Sequence, residues 1–251
     1  MILHIKDVLL SSQTDFCMNI IVTGASQGIG NEIVKVFSRS KKNHIIAISR
    51  NEKQLQALVD ECKKNNPEAN VTPYAFDLTQ FDFYPLVIQR IETYMPHCDI
   101  LINNAGYLIQ KSFKKIDQNS FDEVFNVNVK GLFFFTQAIL PMMGKGAHIV
   151  NIGSIGGVQG SKKFKGLSVY SASKGAVAVL TEALAEELID EEIRVNCLAL
   201  GGVETEMFKR AFPHAEASYS PNHMAQYIAD FALNGWKHYN GKVLQVSLGT
   251  P

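Results

Sequence analysis

From residue 18 onward the chain alternates short apolar runs with longer stretches in which apolar positions recur at helical spacing. The first run, MNIIVTG (Met18 to Gly24), leads into an amphipathic stretch from about Gly28 to Arg39 that sets Ile29, Ile33, Val36 and Phe37 on one side. Further strands are expected at HIIAIS (44–49), ANVTPYAF (69–76), CDILIN (98–103), AHIVNIG (147–153), IRVNCLAL (193–200) and KVLQVSL (242–248). Helical spacing is expected near 51–65, 79–94, 119–140, 168–189 and 222–233. Strands separated by helices of this length need crossover connections, so the pattern predicts an α/β, doubly wound (Rossmann) fold: a seven-stranded parallel sheet with helices on both faces. No low-complexity linker, fixed-period repeat or compositional break divides the chain, so one domain is expected over 18–251. Residues 1–17 form an N-terminal extension, either a short accessory element or a non-native addition.

Composition narrows the classes of function. The 24 Lys and Arg balance the 24 Asp and Glu, so no summed field draws the protein to nucleic acid or to an anionic membrane. Apolar residues make up 46% and charged residues 19%, which suits a compact chain and excludes a disordered one. Cys17, Cys62, Cys98 and Cys197 show neither a CxxC nor a zinc-type spacing and are expected as separate reduced thiols, with no metal site. The apolar stretch Ala138 to Val150 is broken by Pro141, Gly144, Lys145, Gly146 and His148, too soon for a membrane span. The opening MILHIKDVLL is interrupted by Lys6 and Asp7 and has no basic residues ahead of it, so a cytoplasmic protein is expected.

Candidate chemistry begins directly after the first strand, at TGASQGIG (Thr23 to Gly30). Without a Cβ, Gly24 can make the sharp turn, Gly28 lets backbone amides approach a pyrophosphate, and Gly30 allows close packing of helix on sheet. The anion then rests on the helix N-terminus, so Gly24, Ser26, Gln27, Gly28, Ile29 and Gly30 are expected dinucleotide contacts. The carboxylate that holds an NAD ribose falls about 20 residues past such a turn, where this chain has Ser49 and Arg50 instead. A guanidinium there can pair with a 2′-phosphate, which favours NADP(H) over NAD(H).

A second group lies in YSASK, where Tyr170 and Lys174 are one helical turn apart on the same face. An ammonium beside a phenol stabilises the phenolate, so a lowered Tyr170 pKa and acid–base work near neutral pH are expected. The chain also carries NNAG (103–106), NVKG (128–131) and NIGS (151–154). Together with the glycine turn and YSASK, these make the chain similar, from Met18 to Leu248, to the short-chain dehydrogenase/reductase family in its NADP-preferring type. The resemblance implies that Tyr170 is general acid in carbonyl reduction and base in alcohol oxidation. It implies that Lys174 holds the nicotinamide ribose and tunes the tyrosine, that Ser154 hydrogen-bonds the substrate oxygen, and that Asn128 anchors a water in a proton relay. Asn104, Ala105 and Gly106 would flank the adenine ribose, and Asp77 with Leu78 the adenine. Gly201, Val203 and Thr205 would lie in the loop over the nicotinamide, and the helices holding Phe133, Phe134, Phe135 and Val177 to Leu188 would pair copies into a homodimer or homotetramer. Asn103 and Asn151 read equally well as ties between strand ends.

Three departures from that pattern bear on function. Leu200-Gly201 stands where the family has Pro-Gly, which predicts a looser turn behind the nicotinamide. Ser154 and Tyr170 are 16 apart, about three more than usual, with the extra residues in SKKFKG; Ser161 and Ser168 are therefore rival serines. Only KRAFPHAEASYSPN separates Met207 from the last helix, so a short lid and an open pocket are expected. Lys162, Lys163 and Lys165 could attract an acidic acyl carrier, although a solvated loop explains them more simply. The expected activity is NADPH-dependent reduction of a small-molecule carbonyl, whether ketone, diketone or 3-oxoacyl group. The alternative is an NADP(H)-binding regulatory or scaffold protein with weak or lost catalysis.

Overall fold

A computed structural model describes residues 17–248, so the extension expected over 1–17 falls outside the described residues except for Cys17. The seven expected strands are present as β1 (Asn19–Thr23), β2 (His44–Ser49), β3 (Asn70–Ala75), β4 (Ile100–Asn103), β5 (His148–Ser154), β6 (Arg194–Leu200) and β7 (Val243–Val246). All pairings are parallel, in the order β3-β2-β1-β4-β5-β6-β7. The order reverses between β1 and β4, and ligands of open α/β sheets bind where strand order reverses.

The helices are α1 (Gly28–Phe37), α2 (Glu52–Asn65), α3 (Tyr84–Tyr94), α4 (Gln118–Phe125), α5 (Leu132–Ile139), α6 (Ser168–Glu187), α7 (Glu206–Ala211) and α8 (Pro221–Asn234). Side chains of a strand point alternately to opposite faces, and β1 shows what that builds. Ile20 and Val22 join Ile33 and Phe37 of α1, Leu55 and Leu58 of α2 and Met224 and Ile228 of α8 in one core. Ile21 enters the other, with Tyr84 and Val87 of α3, Phe135 and Ile139 of α5 and Ala185 of α6. Every residue of β1 is buried, as a strand covered on both faces requires.

Two helices differ from expectation. The segment expected as helix from 79 starts at Tyr84, after a 3₁₀ turn over Phe81–Phe83, because Pro85 suits only the first turn of a helix. The segment expected as one helix over 119–140 is interrupted by a π-helical turn, Asn126–Gly131, that contains Asn128. A wider turn leaves backbone groups out of helical register, and here the Tyr84 hydroxyl lies 2.6 Å from the Leu78 carbonyl and 3.3 Å from the Gly131 carbonyl. Of the three adjacent phenylalanines, Phe135 is fully buried while Phe133 and Phe134 remain more than a third exposed. No described helix is long and apolar enough to cross a membrane.

Buried polar groups bind the sheet to its helices. Asn103 of β4 donates to Thr136 Oγ1 of α5 and to Asn151 Oδ1 of β5, each at 2.9 Å, and Asn151 donates to Thr181 Oγ1 of α6 at 2.9 Å. The chain of bonds crosses from α5 to α6 through the two central strands, so both asparagines are strand ties. At the other end of β5, His148 Nδ1 donates to the Ala232 carbonyl at 2.9 Å and Nε2 accepts from the Asn196 amide at 3.1 Å. That amide also donates to the Tyr239 carbonyl while its oxygen accepts from the Lys242 N–H, so it cannot turn to accept a second imidazole proton.

Burial holds the His148 ring down to about 4 from its ordinary 6.5. The folded state therefore prefers the neutral ring, so the stability this group contributes is whole above about pH 6.5 and is lost as pH falls toward 4. The loss is on the order of 3 kcal/mol. Urea unfolding at a series of pH values should show a midpoint that drops across this window, and a His148→Gln variant, less stable throughout, should show a flatter dependence.

Candidate functional site

The glycine turn joins β1 to α1 at the point of strand reversal. Gly24 has φ +68°, and a Cβ on it would lie 2.7 Å from the Ala105 Cα. A Cβ on Gly30 would lie 2.4 Å from both the Asn104 amide nitrogen and the Gly24 carbonyl oxygen. Only glycine fits either place. The gap at Gly30 admits Asn104, whose amide donates to the carbonyls of Thr23 (3.0 Å) and Gly24 (3.1 Å). In return the Asn104 and Ala105 N–H groups both donate to Thr23 Oγ1 at 3.1 Å. Gln27 sits at the N-cap of α1 without a side-chain cap, and the first turn holds no acidic residue. The opening N–H groups of α1 thus face the cleft with no carboxylate among them.

At one end of the cleft, Ser49 donates to Ser26 Oγ at 2.7 Å, joining the end of β2 to the glycine turn. Arg50 follows, well exposed, with its guanidinium 3.9 Å from Asp77 Oδ2. Asp77 accepts from the N–H and hydroxyl of Thr79, both at 2.9 Å, which fixes its carboxylate beside Leu78.

In the middle of the cleft lie Ser154, Tyr170 and Lys174. Ser154 ends β5, where its Oγ accepts from the Gly156 N–H at 3.2 Å, and it lines the cleft beside Tyr170. Neither rival serine reaches the cleft: Ser161 donates to the carbonyls of Ile155 and Val158, and Ser168 is exposed at the start of α6. Lys174 is buried, its Nζ donating to the Ile152 carbonyl at 2.7 Å and lying 6.0 Å from the centre of the Tyr170 ring. A Cβ on Gly106 would sit 3.7 Å from that ammonium. Asn128, almost fully buried, accepts from the Tyr107 N–H (2.7 Å) and donates to the Tyr107 carbonyl and to Ser173 Oγ, both at 2.9 Å. Its side chain clamps the backbone next to Gly106.

The electrostatics differ from the lowered phenol expected of a tyrosine beside an ammonium. Burial pushes the Tyr170 phenol up to about 12, against the hydrogen bond from Ser154, and the same burial brings Lys174 down to about 8. Loss of solvent is the leading cause at both groups, and the ammonium is bonded to the Ile152 carbonyl.

These groups line a cavity of about 620 Å³ that runs from Ser26 and Arg50 past Gly106 and Tyr170 to Phe208 and Phe212. Thr205 caps α7 by accepting from the Phe208 N–H at 3.2 Å, and Val203 is buried beside it. Leu200 is buried in the ladder of β6 with β5 and β7, and the Gly201 N–H donates to the Val246 carbonyl at 2.9 Å. The looser turn expected at Leu200-Gly201 is therefore held by strand pairing in place of a proline ring.

Comparison with known proteins agrees with this geometry. Residues 18–216 match the family model described as short chain dehydrogenase. The chain belongs to the short-chain dehydrogenase family. It is 31% identical over 241 residues to the 3-oxoacyl-(acyl-carrier-protein) reductase FabG of Thermotoga maritima, an alignment covering 91% of this chain and 96% of that protein. Among solved structures it resembles a short chain dehydrogenase from Escherichia coli CFT073 complexed with NADPH, at 27% identity and TM-score 0.83 over 92% of this chain and 96% of that one. One from Shigella flexneri 2a complexed with NADP gives 26% identity and TM-score 0.83 over 92% and 97%.

Sequence reasoning about this short-chain dehydrogenase missed the walls at the far end of the cleft. Phe208 and Phe212 lie one turn apart behind the Thr205 cap, a pairing the sequence displays but on a helix of six residues, too short for periodicity to register. Phe164 sits among the lysines of the extra loop, and its ring meets Phe212 at 5.1 Å. These rings form one wall of the pocket expected under a short lid.

The glycine fit can be tested by stability alone. Gly30→Ala should destabilise the short-chain dehydrogenase by about 2–3 kcal/mol through overpacking against Asn104, read as a fall in thermal midpoint. Gly144→Ala, where no atom lies within 4 Å of the new Cβ, should stay within about 0.5 kcal/mol of the parent.

Proposed function

We propose that the protein is an NADPH-dependent reductase that converts a carbonyl to an alcohol. The observation that carries this reading is that Ser154, Tyr170 and Lys174, the last two one helical turn apart, line the same cleft as the glycine turn. A dinucleotide suits the turn at Gly28, where a Cβ would come within 3.3 Å of Thr205 across the cleft, and the uncapped start of α1. Ser26, Gln27, Gly28 and Ile29 would hold its pyrophosphate, and Gly201, Val203 and Thr205 would back its nicotinamide. Arg50, whose nearest carboxylate among the described residues is Asp77, would take the 2′-phosphate; the NADP-complexed relatives support that preference. Asp77 and Leu78 would border the adenine, and Asn104, Ala105 and Gly106 its ribose.

When bound, NADPH would supply the hydride for the carbonyl carbon. Tyr170 Oη gives its proton to the carbonyl oxygen, so that hydride and proton together complete the alcohol. Ser154, whose Oγ is held by the Gly156 N–H, would donate its own proton to the same oxygen as charge develops there. Lys174, held on the Ile152 carbonyl, directs its remaining N–H groups toward the region of Gly106, where they would bind the ribose hydroxyls and steady the phenolate left on Tyr170. Asn128 is a positioning residue that fixes the Tyr107 peptide and with it the wall of the cleft.

NADPH oxidation on a panel of simple ketones, diketones and an acetoacetyl thioester tests the reading. Tyr170→Phe should lower turnover by about a hundredfold or more while NADPH still binds, as followed by calorimetry. Turnover that survives this change would rule out the assigned acid.

The pH profile follows from the same groups. With its phenol near 12, Tyr170 stays protonated and ready to donate throughout the assay range. Lys174 loses its charge as pH rises through about 8, so kcat/KM for reduction should fall there. Lys174→Arg, whose guanidinium stays charged throughout the assay range, should lower the rate and remove that inflection.

A further inference from the structure

The far end of the cleft is built from a segment that hydride and proton transfer do not require. Between Ser154 and Tyr170 the loop carries two glycines at positive φ, Gly160 (+80°) and Gly166 (+84°). It is braced inward: Lys163 Nζ donates to the carbonyls of Val158 (2.6 Å) and Ser161 (3.1 Å), and the Lys111 N–H donates to the Gly166 carbonyl at 2.9 Å. This framework sets Phe164 against Phe212, with ring centres 5.1 Å apart at 70°, and Phe212 in turn meets Phe208 at 5.3 Å. Phe208 is itself seated on the turn after β6, since a Cβ on Gly202 would lie 3.0 Å from its ring. Three aromatic rings from two separate segments thus line the cleft beyond Ser154 and Tyr170.

Charge at this end selects further. Among the described residues, the only lysine or arginine side chains lining the cavity are Arg50 and Lys174, while Glu206 and Glu216 border it as well. Lys163 is bound to its own loop, and Lys162 lies over the Phe164 ring at 5.6 Å. A phosphate-bearing arm that brought an acyl thioester in from this side would meet carboxylates and aromatic edges and no cation lining the cavity. An uncharged flat ring would find faces and edges to pack on, an arrangement that stabilises beyond the area buried.

We propose that Phe164, Phe208 and Phe212 form an aromatic clamp that selects uncharged ketones or aldehydes bearing an aryl or similarly flat apolar ring. This rests on the carbonyl-reduction reading above and names its substrate class. The clamp holds the ring while the carbonyl oxygen reaches Tyr170 Oη and Ser154 Oγ.

The test compares acetophenone, acetone and acetoacetyl-coenzyme A as substrates with NADPH. Acetophenone should give the highest kcat/KM, and Phe164→Ala or Phe212→Ala should narrow the acetophenone-to-acetone ratio by about tenfold, mainly through KM. Phe164→Leu, which keeps an apolar side chain without the ring, should fall between, and circular dichroism checks that each variant is folded. Preference for the thioester, or a ratio that neither alanine variant moves, overturns the clamp and leaves carbonyl reduction intact. Binding of 1-phenylethanol to the NADP⁺-loaded protein, read by saturation-transfer NMR, separates the two readings. Binding that the alanine variants lose, without turnover of any ketone, sustains the clamp and removes the reductase reading; no binding to the parent protein removes the clamp.

Discussion

The amide of Asn104, set between the carbonyls of Thr23 and Gly24, is the contact on which the cleft depends. In a doubly wound sheet the loops after β1 and β4 diverge, because their helices cross to opposite faces, and that divergence opens the crevice. An opening of this kind would breathe if nothing joined its two lips. Asn104 and Thr23 join them with four hydrogen bonds, and the missing Cβ of Gly30 is what lets the asparagine in. Glycine at that position therefore serves the protein's internal bonding as much as any ligand.

A second constraint is the buried ammonium of Lys174. Removing it from water is unfavourable, and the one carbonyl of Ile152 offsets this only in part, which is why its pKa falls to about 8. The asparagine and threonine bonds linking α5, β4, β5 and α6 hold the surrounding frame rigid, so the lysine cannot swing out to solvent. Fold stability is thus used to keep a charge where it is poorly solvated. Such a charge responds strongly to any oxygen-rich group placed beside Gly106 and gives that group a large share in setting the state of Tyr170.

The fold was legible because its signals are periodic. Ile20, Ile21 and Val22 announce a strand buried on both sides, and the glycines at 24, 28 and 30 announce a turn whose geometry excludes side chains. Tyr170 and Lys174 stand out by their four-residue spacing in YSASK, and the role of Ser154 comes from the resemblance to the short-chain dehydrogenases. Less periodic features were hidden. The π turn at Asn126–Gly131 preserves the apolar pattern on both sides and only inserts a wider turn, so spacing reads as one helix. The raised phenol of Tyr170 depends on burial, which a four-residue spacing does not contain. Phe164 was masked by the lysines around it, because charge in a loop suggests solvent, whereas here one of those lysines turns inward to brace the loop.

Two departures that look independent along the chain meet in space. The longer stretch between Ser154 and Tyr170 and the short segment after Met207 contact each other at Phe164 and Phe212. A short lid alone would leave the cleft open on that side; a longer loop alone would have nothing to pack on. Together they close one wall with a ring from each, held by Lys111 and Gly166 at one end of the loop and by Ser161 and Ile155 at the other. Because the two segments share one packing surface, a change in either alters what the other can hold, and ligand selectivity at this end belongs to the pair.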